Sequence, residues 1–197
     1  MVDAASSRAP LVGVLALQGG FALHARMLRE LGADVREVRT VGDLSGLDGL
    51  VMPGGESTTM TLGIGREGLR EPLREFAASG APVFGTCAGL IMLDRTHLGL
   101  LDVDARRNAF GRQVHSFETD LSIEGEDVHA IFIRAPWIAS WSDDVEVLAE
   151  VDGHPVAVRQ GNLMAISFHP ELCDENALHA KFLDAVRTRI ASAGEAA

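Results

Sequence analysis

Gly85-Thr86-Cys87-Ala88-Gly89 is the stretch of the sequence whose residue types most directly suggest chemistry. A short apolar strand, Pro82–Phe84, is predicted before it, and an apolar helix, Ala88–Leu93, is predicted after it. A glycine on each side of a nucleophile permits a sharp strand-to-helix turn that lifts the side chain above a sheet. The free N–H groups at a helix start favour a thiolate there. The alternative is that Cys87 is a buried, inert core residue, which is the commoner case for an isolated cysteine.

A candidate base and its carboxylate partner lie near the end of the sequence, in His169-Pro170-Glu171. In extended backbone His169 and Glu171 point to the same side, and Pro170 restricts both its own conformation and that of the residue before it. A histidine held in orientation by a carboxylate suits a nucleophile–base–orienter set. Taken alone, His169 is equally consistent with a loop histidine that caps a strand end. Its combination with Cys87 favours the catalytic interpretation.

A glycine-rich turn, Pro53-Gly54-Gly55-Glu56-Ser57-Thr58-Thr59-Met60, is the third candidate. A glycine pair after a strand lets backbone N–H groups approach a ligand, and a helix start just beyond, with Ser57 or Thr58 as N-cap, suits a negative charge. A tetrahedral intermediate at the cysteine needs two donors for its oxyanion, and our candidates are the N–H groups of Gly55 and Ala88. The loss of one such donor typically costs about 10²–10³ in turnover. The alternative is a tight turn that merely uses glycine.

Composition limits the class of protein. The chain has 197 residues with 47% hydrophobic content and 21 glycines, which fits one compact α/β domain. A net charge of −11 argues against a nucleic-acid partner. Two cysteines, no secretory signal and no long apolar run predict a cytoplasmic protein without a membrane segment. We predict a single domain over residues 11–191, with flexible tails at 1–10 and 192–197.

The elements that position these residues alternate between strand and helix in the first half of the chain. This order predicts a doubly wound, mostly parallel α/β sheet, in which sites lie at the carboxyl ends of the strands. Gln18, Gly54-Gly55 and Cys87 all follow strand ends, so they are expected to meet at one edge. The predicted strands there are Leu11–Leu17, Asp34–Val38, Leu50–Met52 and Pro82–Phe84, and the helices are Phe21–Leu31, an interrupted one from Thr58, and Gly68–Ser79.

The second half of the chain predicts an antiparallel extension of that sheet. Alternating or apolar stretches indicate strands, and one long helical stretch closes the chain. The predicted elements are Gly111–Glu118, Leu121–Ile123, His129–Ile133, Val145–Glu150, Pro155–Arg159, a closing strand Leu163–Phe168 and a helix Asn176–Ile190.

Together, the cysteine turn and the late His-Pro-Glu resemble the class I (triad) glutamine amidotransferases, which have a flavodoxin-like sheet. Three further motifs resemble the glutaminase subunit of pyridoxal 5′-phosphate synthase, the PdxT/SNO family. These are Pro53–Met60, Arg107-Asn108 with Phe110-Gly111-Arg112-Gln113, and Phe132-Ile133-Arg134-Ala135-Pro136. The resemblance runs from about Leu11 to the final helix, with all five motifs in order.

The resemblance implies specific roles for the residues of this chain. Cys87 would be the nucleophile, His169 the base and Glu171 its orienter. Arg107 and Arg134 would pair with the α-carboxylate of glutamine, although solvated surface charges are the alternative for both. The implied glutamine-binding residues are Gln18, Gly54, Gly55, Glu56, Arg107, Ile133 and Arg134.

The resemblance also implies an activity and a partner. L-Glutamine would be hydrolysed to L-glutamate and ammonia through a cysteine thioester, with no cofactor and no metal. The ammonia would pass directly to a (β/α)₈-barrel synthase subunit that builds pyridoxal 5′-phosphate. Both subunits would form a large assembly in equal numbers, and the glutaminase would be weak until docked.

Two features depart from the family pattern. The stretch Leu93–Leu100 is shorter than expected, and His115 stands where family members carry Asp. The remaining histidines show no metal-ligand spacing and are expected to be structural or exposed: His24, His97, His129, His154 and His179. Two other functions stay open, a glutaminase for another acceptor, such as an imidazole-glycerol-phosphate pathway enzyme, and a non-catalytic regulatory subunit on the same scaffold.

Overall fold

A seven-stranded sheet forms the centre of the fold in the computed structural model, which describes residues 8–107, 116–173 and 176–195. Its strands, from one edge to the other, are β2 (Asp34–Val38), β1 (Leu11–Leu15), β3 (Gly49–Met52), β4 (Val83–Thr86), β11 (Leu163–Ile166), β10 (His154–Gln160) and β9 (Glu146–Val151). All pairs from β2 across to β11 are parallel, whereas β10 and β9 are added antiparallel. The predicted mostly parallel sheet with an antiparallel extension is therefore confirmed.

Helices cover both faces of this sheet and bury two separate apolar clusters. Because side chains alternate along a strand, Val12 and Val14 of β1 face one cluster and Leu15 faces the other. The first face is covered by α1 (Phe21–Glu30) and α5 (Ala177–Glu195), and the second by α2 (Ser57–Arg66), α3 (Arg70–Ala78) and α4 (Ala88–Leu93). None of the helices in the described part of the chain is both long and apolar enough to cross a membrane.

Two antiparallel strand pairs lie outside the central sheet. One pairs β6 (Ser116–Ile123) with β7 (Glu126–Ile133), and the other pairs β5 (Val103–Arg106) with β8 (Trp137–Trp141). Phe132 of β7 lies in the same apolar cluster as α1 and α5, so the β6–β7 hairpin packs on that face of the fold. Strand β7 ends at Ile133, and Arg134 follows it. Both residues lie near Cys87, at the edge of the sheet where β4 ends.

The structure differs from the sequence-based prediction at several elements. Strands β5 and β8 were not predicted, and α2 continues through Gly63 and Gly65 instead of being interrupted there. The predicted strand Gly111–Glu118 lies mostly outside the described residues, as does His115. A short 3₁₀ turn at Pro170–Leu172 follows His169, where the prediction was extended backbone.

The ordered structure reaches beyond both predicted ends of the domain. Helix α5 continues to Glu195, past the predicted boundary at 191. At the other end Arg8 donates two hydrogen bonds of 2.6 Å to the carboxylate of Asp48, so residues 8–10 join the fold. The single domain stays a prediction, with these wider bounds.

Candidate active site

Cys87 stands at the turn between β4 and α4, as the sequence predicts. Its backbone has a positive φ, with φ 47° and ψ −102°, a conformation that costs a non-glycine residue energy. The glycines on either side are required by close packing. A Cβ at Gly85 would lie 2.7 Å from Leu93, and one at Gly89 would collide with the carbonyl of Met52. The turn is therefore built so that one side chain projects from the edge of the sheet.

His169 and Glu171 lie beside this cysteine. Nδ1 of His169 is 2.8 Å from Oε1 of Glu171, and the glutamate side chain is almost fully buried. Gly54 packs against both His169 and Cys87, since a Cβ there would lie 2.5 Å from Cε1 of His169 and 3.3 Å from Cβ of Cys87. The three residues predicted as a triad are thus brought together, in the order nucleophile, base and carboxylate.

The protonation of this group follows from its surroundings. Burial lowers the pKa of His169, but its interactions with Cys87 and Glu171 outweigh burial and raise the pKa to about 10. Burial likewise acts to raise the pKa of Glu171, yet hydrogen bonds and charge interactions with His169 and His24 hold that pKa well below its ordinary value. At neutral pH the base is therefore an imidazolium paired with a carboxylate.

The two candidate oxyanion donors belong to the turn after β3 and to the start of α4. The carbonyl of Gly54 accepts a hydrogen bond from the N–H of Gly20, at 3.0 Å. In a trans peptide the next N–H points the opposite way, so the N–H of Gly55 is directed from β3 toward β4, where Cys87 stands. Ala88 is the first residue of α4, so its N–H has no hydrogen-bond acceptor within the helix.

Gln18 fixes the position of this glycine-rich turn. Its side-chain carbonyl accepts a 2.6 Å hydrogen bond from the N–H of Glu56. A side chain at Gly55 would collide with the same Gln18 oxygen, which explains the glycine. Gln18 therefore lies at the predicted edge and acts on the backbone of the turn.

The N-cap of α2 is Glu56, which corrects the prediction that Ser57 or Thr58 takes that position. Its carboxylate accepts hydrogen bonds from the N–H groups of Thr58 (3.0 Å) and Thr59 (2.7 Å). Those bonds lower the pKa of Glu56 to about 2, led by the bond from Thr58. An acidic side chain at the N-cap satisfies the same free N–H groups at the helix start as Ser or Thr would, so the sequence allowed either assignment.

A cavity of about 340 Å³ opens above the cysteine. Every predicted glutamine-binding residue except Gly54 lines it, and so do Ser57 and Ile91, which were not predicted. Gly54 lies just behind, against His169 and Cys87. The described residues that line it are Gln18, Gly55, Glu56, Ser57, Cys87, Ile91, Arg107, Ile133, Arg134 and His169.

Arg107 is held at the wall of this cavity by neighbours on two elements. Its guanidinium donates to Oγ1 of Thr58 at 3.1 Å and lies 3.5 Å from Nε2 of His97. The other ring nitrogen of His97 is 2.8 Å from the buried carboxylate of Asp94. The stretch that is shorter than expected therefore contacts a candidate substrate residue, and His97 makes this contact in a structural role.

Comparisons with known proteins bear on this geometry. A family model described as the SNO glutamine amidotransferase family matches residues 14–188. The chain belongs to this family. It is 55% identical over 194 residues to the pyridoxal 5′-phosphate synthase subunit PdxT of Parafrankia sp. (strain EAN1pec), with 92% of this chain and 96% of the relative covered.

Two further comparisons agree with this SNO-family membership. The chain is 51% identical over 189 residues to the subunit PdxT of Mycobacteroides abscessus, with 90% of this chain and 98% of the relative covered. A solved crystal structure of a glutamine amidotransferase is 45% identical and superposes with a TM-score of 0.84, covering 89% of this chain and 98% of that one. The family that the five motifs indicated is therefore confirmed.

In this SNO-family chain, three residues behind the triad were missed by sequence analysis. His24, Thr86 and His179 are fully buried, and Nε2 of His24 lies 3.3 Å from Oε2 of Glu171. The sequence did hold a signal, because His24 precedes Leu28 by one helical turn and so belongs to the buried face of α1.

The described residues contain no cluster of three or more acidic, cysteine or histidine side chains arranged to bind a metal ion.

Proposed function

We propose that this chain is the glutaminase subunit of a pyridoxal 5′-phosphate synthase. It hydrolyses L-glutamine to L-glutamate and ammonia at Cys87 and delivers the ammonia to a synthase subunit. The observation that carries this proposal is the Cys87–His169–Glu171 arrangement at the base of a cavity of about 340 Å³ in an SNO-family chain. The close relatives named pyridoxal 5′-phosphate synthase subunit PdxT support the choice of acceptor.

Acylation is the first half of the proposed reaction. The sulfur of Cys87 attacks the side-chain amide carbon of glutamine, and the carbonyl oxygen becomes an oxyanion. The imidazolium of His169 gives its proton to the amide nitrogen, which leaves as ammonia. A glutamyl thioester remains on the sulfur. The raised pKa of His169, about 10, keeps this proton available at neutral pH.

Deacylation returns the enzyme to its starting state. His169 takes a proton from a water molecule as that water attacks the thioester carbon. A second oxyanion forms and collapses, which breaks the carbon–sulfur bond and releases glutamate. The N–H groups of Gly55 and Ala88 hold the oxyanion in both halves, and each such donor is worth about 10²–10³ in turnover.

Glutamine is held by charge at the opposite wall. Arg107 and Arg134 line the cavity and pair with the α-carboxylate, since a guanidinium binds a carboxylate through two parallel hydrogen bonds. Glu56 is the one acidic side chain among the described lining residues, and it faces the α-ammonium group. Gln18 and Gly54 shape the turn, and Ile133 covers the aliphatic part of the substrate.

The partner is a synthase subunit with a (β/α)₈-barrel fold, present in equal numbers in a large assembly in the cytoplasm. Direct transfer is required because free ammonia is protonated in neutral water and loses its nucleophilicity. The part of the chain that docks and reacts is a single domain, whose described structure begins at residue 8 and continues to residue 195. Docking raises a low basal activity.

A glutaminase assay with and without the purified cognate synthase tests this function. We expect glutamate release to rise when the synthase is added, and nitrogen from labelled glutamine to enter pyridoxal 5′-phosphate. The Cys87→Ala chain serves as control, because it should still bind the synthase while releasing no glutamate. Equal rates with and without the synthase would contradict activation by docking, and no glutamate under either condition would contradict the function itself.

A further inference from the structure

The two oxygens of the Glu171 carboxylate face in different directions. Oε1 lies 2.8 Å from Nδ1 of His169, whereas Oε2 points into the core. Nε2 of His24 lies 3.3 Å from Oε2, and the same nitrogen lies 3.1 Å from Oγ1 of Thr86. Oε2 is buried and has no hydrogen bond of ordinary geometry in the part of the chain that the structure describes, so the contact with His24 is the charge-paired contact it has there. A buried carboxylate oxygen without a donor is costly, so this contact matters.

The contact continues into a second buried histidine. Nδ1 of His24 is 2.8 Å from Nε2 of His179, and both side chains are fully buried. Nδ1 of His179 has no hydrogen-bond partner among the described residues. The row of groups from the active site into the core is therefore His169, Glu171, His24 and His179.

One arrangement of protons gives the Glu171 carboxylate a donor and leaves no N–H of this row without an acceptor. A neutral His179 that carries its proton on Nε2 donates to Nδ1 of His24, which leaves the Nε2–H of His24 to face Glu171. The unpaired atom of His179 is then a lone pair, which is less costly than a buried N–H without an acceptor. The reverse tautomer of His24 would place a lone pair against the carboxylate. Burial, followed by the proximity of His24, lowers the pKa of His179 to about 3, in keeping with a neutral ring.

We infer that His24 is a positioning residue, which holds the Glu171 carboxylate from behind so that its other oxygen stays aimed at His169. His179 in turn sets the tautomer of His24. His24 lies outside the cavity lining and touches no substrate, so it acts only through Glu171. Helix α1 supplies this support, because Gly20 at its start leaves room for the same carboxylate: a Cβ there would lie 2.9 Å from Oε1. The inference rests on the proposed glutaminase function.

Two substitutions at this position separate the contact of His24 with Glu171 from its hydrogen bond with His179. His24→Gln keeps an amide nitrogen near the place of Nε2 and so retains the donor to Glu171, while it loses the acceptor for His179. His24→Asn does the opposite, because its polar atoms reach only the place of Nδ1. Both replace a buried histidine by an amide, so each is the matched control for the other.

The variants are compared as full chains in complex with the synthase. For His24→Asn we expect kcat to fall by about 10- to 100-fold, the effect of losing a hydrogen bond to a charged group, with KM within about twofold of wild type. For His24→Gln we expect kcat close to wild type. A wild-type kcat in His24→Asn, or an equal fall in both variants, would overturn the inference.

A measurement on the unmodified chain keeps the inference testable if a variant does not fold. Nitrogen NMR of the histidine rings reports which nitrogen of His24 carries the proton. We expect a proton on Nε2 of His24 at neutral pH, and a proton on Nδ1 alone would overturn the inference. This readout needs no enzyme activity, so a wild-type complex that releases no glutamate would refute the proposed function and leave the assignment of His24 to be decided by NMR.

Discussion

At the residue scale, two of the strained backbone positions among the described residues lie at the candidate site. Four non-glycine residues have positive φ, and two of them, Glu124 and Asp152, precede a glycine in hairpin turns that require it. The other two are Cys87, at 47°, and Arg134, at 46°, and both line the cavity. Such conformations cost roughly 1–3 kcal/mol each. The surrounding packing holds both side chains where a substrate would meet them.

The His169–Glu171 pair predicts how stability depends on pH. The pKa of His169 is raised to about 10 in the folded chain. The stability that the charged His169 adds to the folded chain is therefore fully present below the ordinary histidine pKa of about 6.5. That contribution is lost as the pH rises toward 10. Between pH of about 6.5 and about 10 we expect the free energy of unfolding to fall as the pH rises. The slope should approach about 1.4 kcal/mol per pH unit, which is the value for a difference of one bound proton between the folded and unfolded states. Urea denaturation at several pH values measures it.

Glu171→Gln is the matched variant for this pH experiment. The amide removes the negative charge that helps to raise the pKa of His169, so the fall in stability should begin at lower pH and span a narrower window. Groups elsewhere in the chain titrate equally in both proteins and cancel in the comparison. Identical pH profiles for the two proteins would show that Glu171 does not stabilise the imidazolium.

At the scale of elements, the site is assembled by backbone segments that approach one another closely. The turn after β3 contacts the turn after β1 through the 3.0 Å hydrogen bond from Gly20 to Gly54, and α4 begins beside both. Each contact lies at the carboxyl end of a parallel strand, as the topology requires. Glycines are needed where they occur because no Cβ would fit between these segments.

Gly54→Ala tests this close approach. The added methyl would lie 2.5 Å from Cε1 and 2.9 Å from Nδ1 of His169, so either the ring or the turn must shift. Because a misplacement of about 1 Å in catalytic geometry can cost about 10²-fold in rate, we expect at least that loss of glutaminase activity in the synthase complex.

Gly65→Ala is the control for that substitution. A Cβ at Gly65 meets nothing within 4 Å, and the residue lies exposed within α2. The change should leave activity intact and raise the free energy of unfolding by about 0.5–1 kcal/mol, since alanine favours a helix over glycine. Equal activities for the Gly54 and Gly65 variants would refute the tight packing of the turn around His169.

At the scale of the whole molecule, the parallel sheet and the meeting of the predicted site residues could be read from local patterns. Buried strands give apolar runs such as Val12 to Leu15, and the glycines around Cys87 mark a turn that few other residues permit. Because strands joined by helices in an α/β sheet run parallel, their carboxyl ends, and the site residues that follow them, lie at the same edge of the sheet. Each of these signals lies within a few residues, which is why it was visible.

What the sequence did not reveal depends on contacts between distant segments. His24 and His179 are 155 residues apart and meet only because α1 and α5 cover the same face of the sheet. Strands β5 and β8 also pair from separate parts of the chain, and with only 4 and 5 residues each is too short to give a clear pattern. Gly63 looked like a helix breaker, yet it allows α2 to pack on Leu17, 3.2 Å from the Cβ position.

The chain has two cysteines, and they offer the most direct test of the account. Cys87 lies in the candidate site, whereas the sulfur of Cys173 donates to the carbonyl of His129 outside the cavity lining. Glutamate release should be measured for wild type, Cys87→Ala and Cys173→Ala, each in complex with the synthase. We predict that Cys173→Ala keeps wild-type turnover and that Cys87→Ala releases no glutamate above the uncatalysed rate. Glutamate release by Cys87→Ala at the wild-type rate would contradict the assignment of Cys87 as the nucleophile.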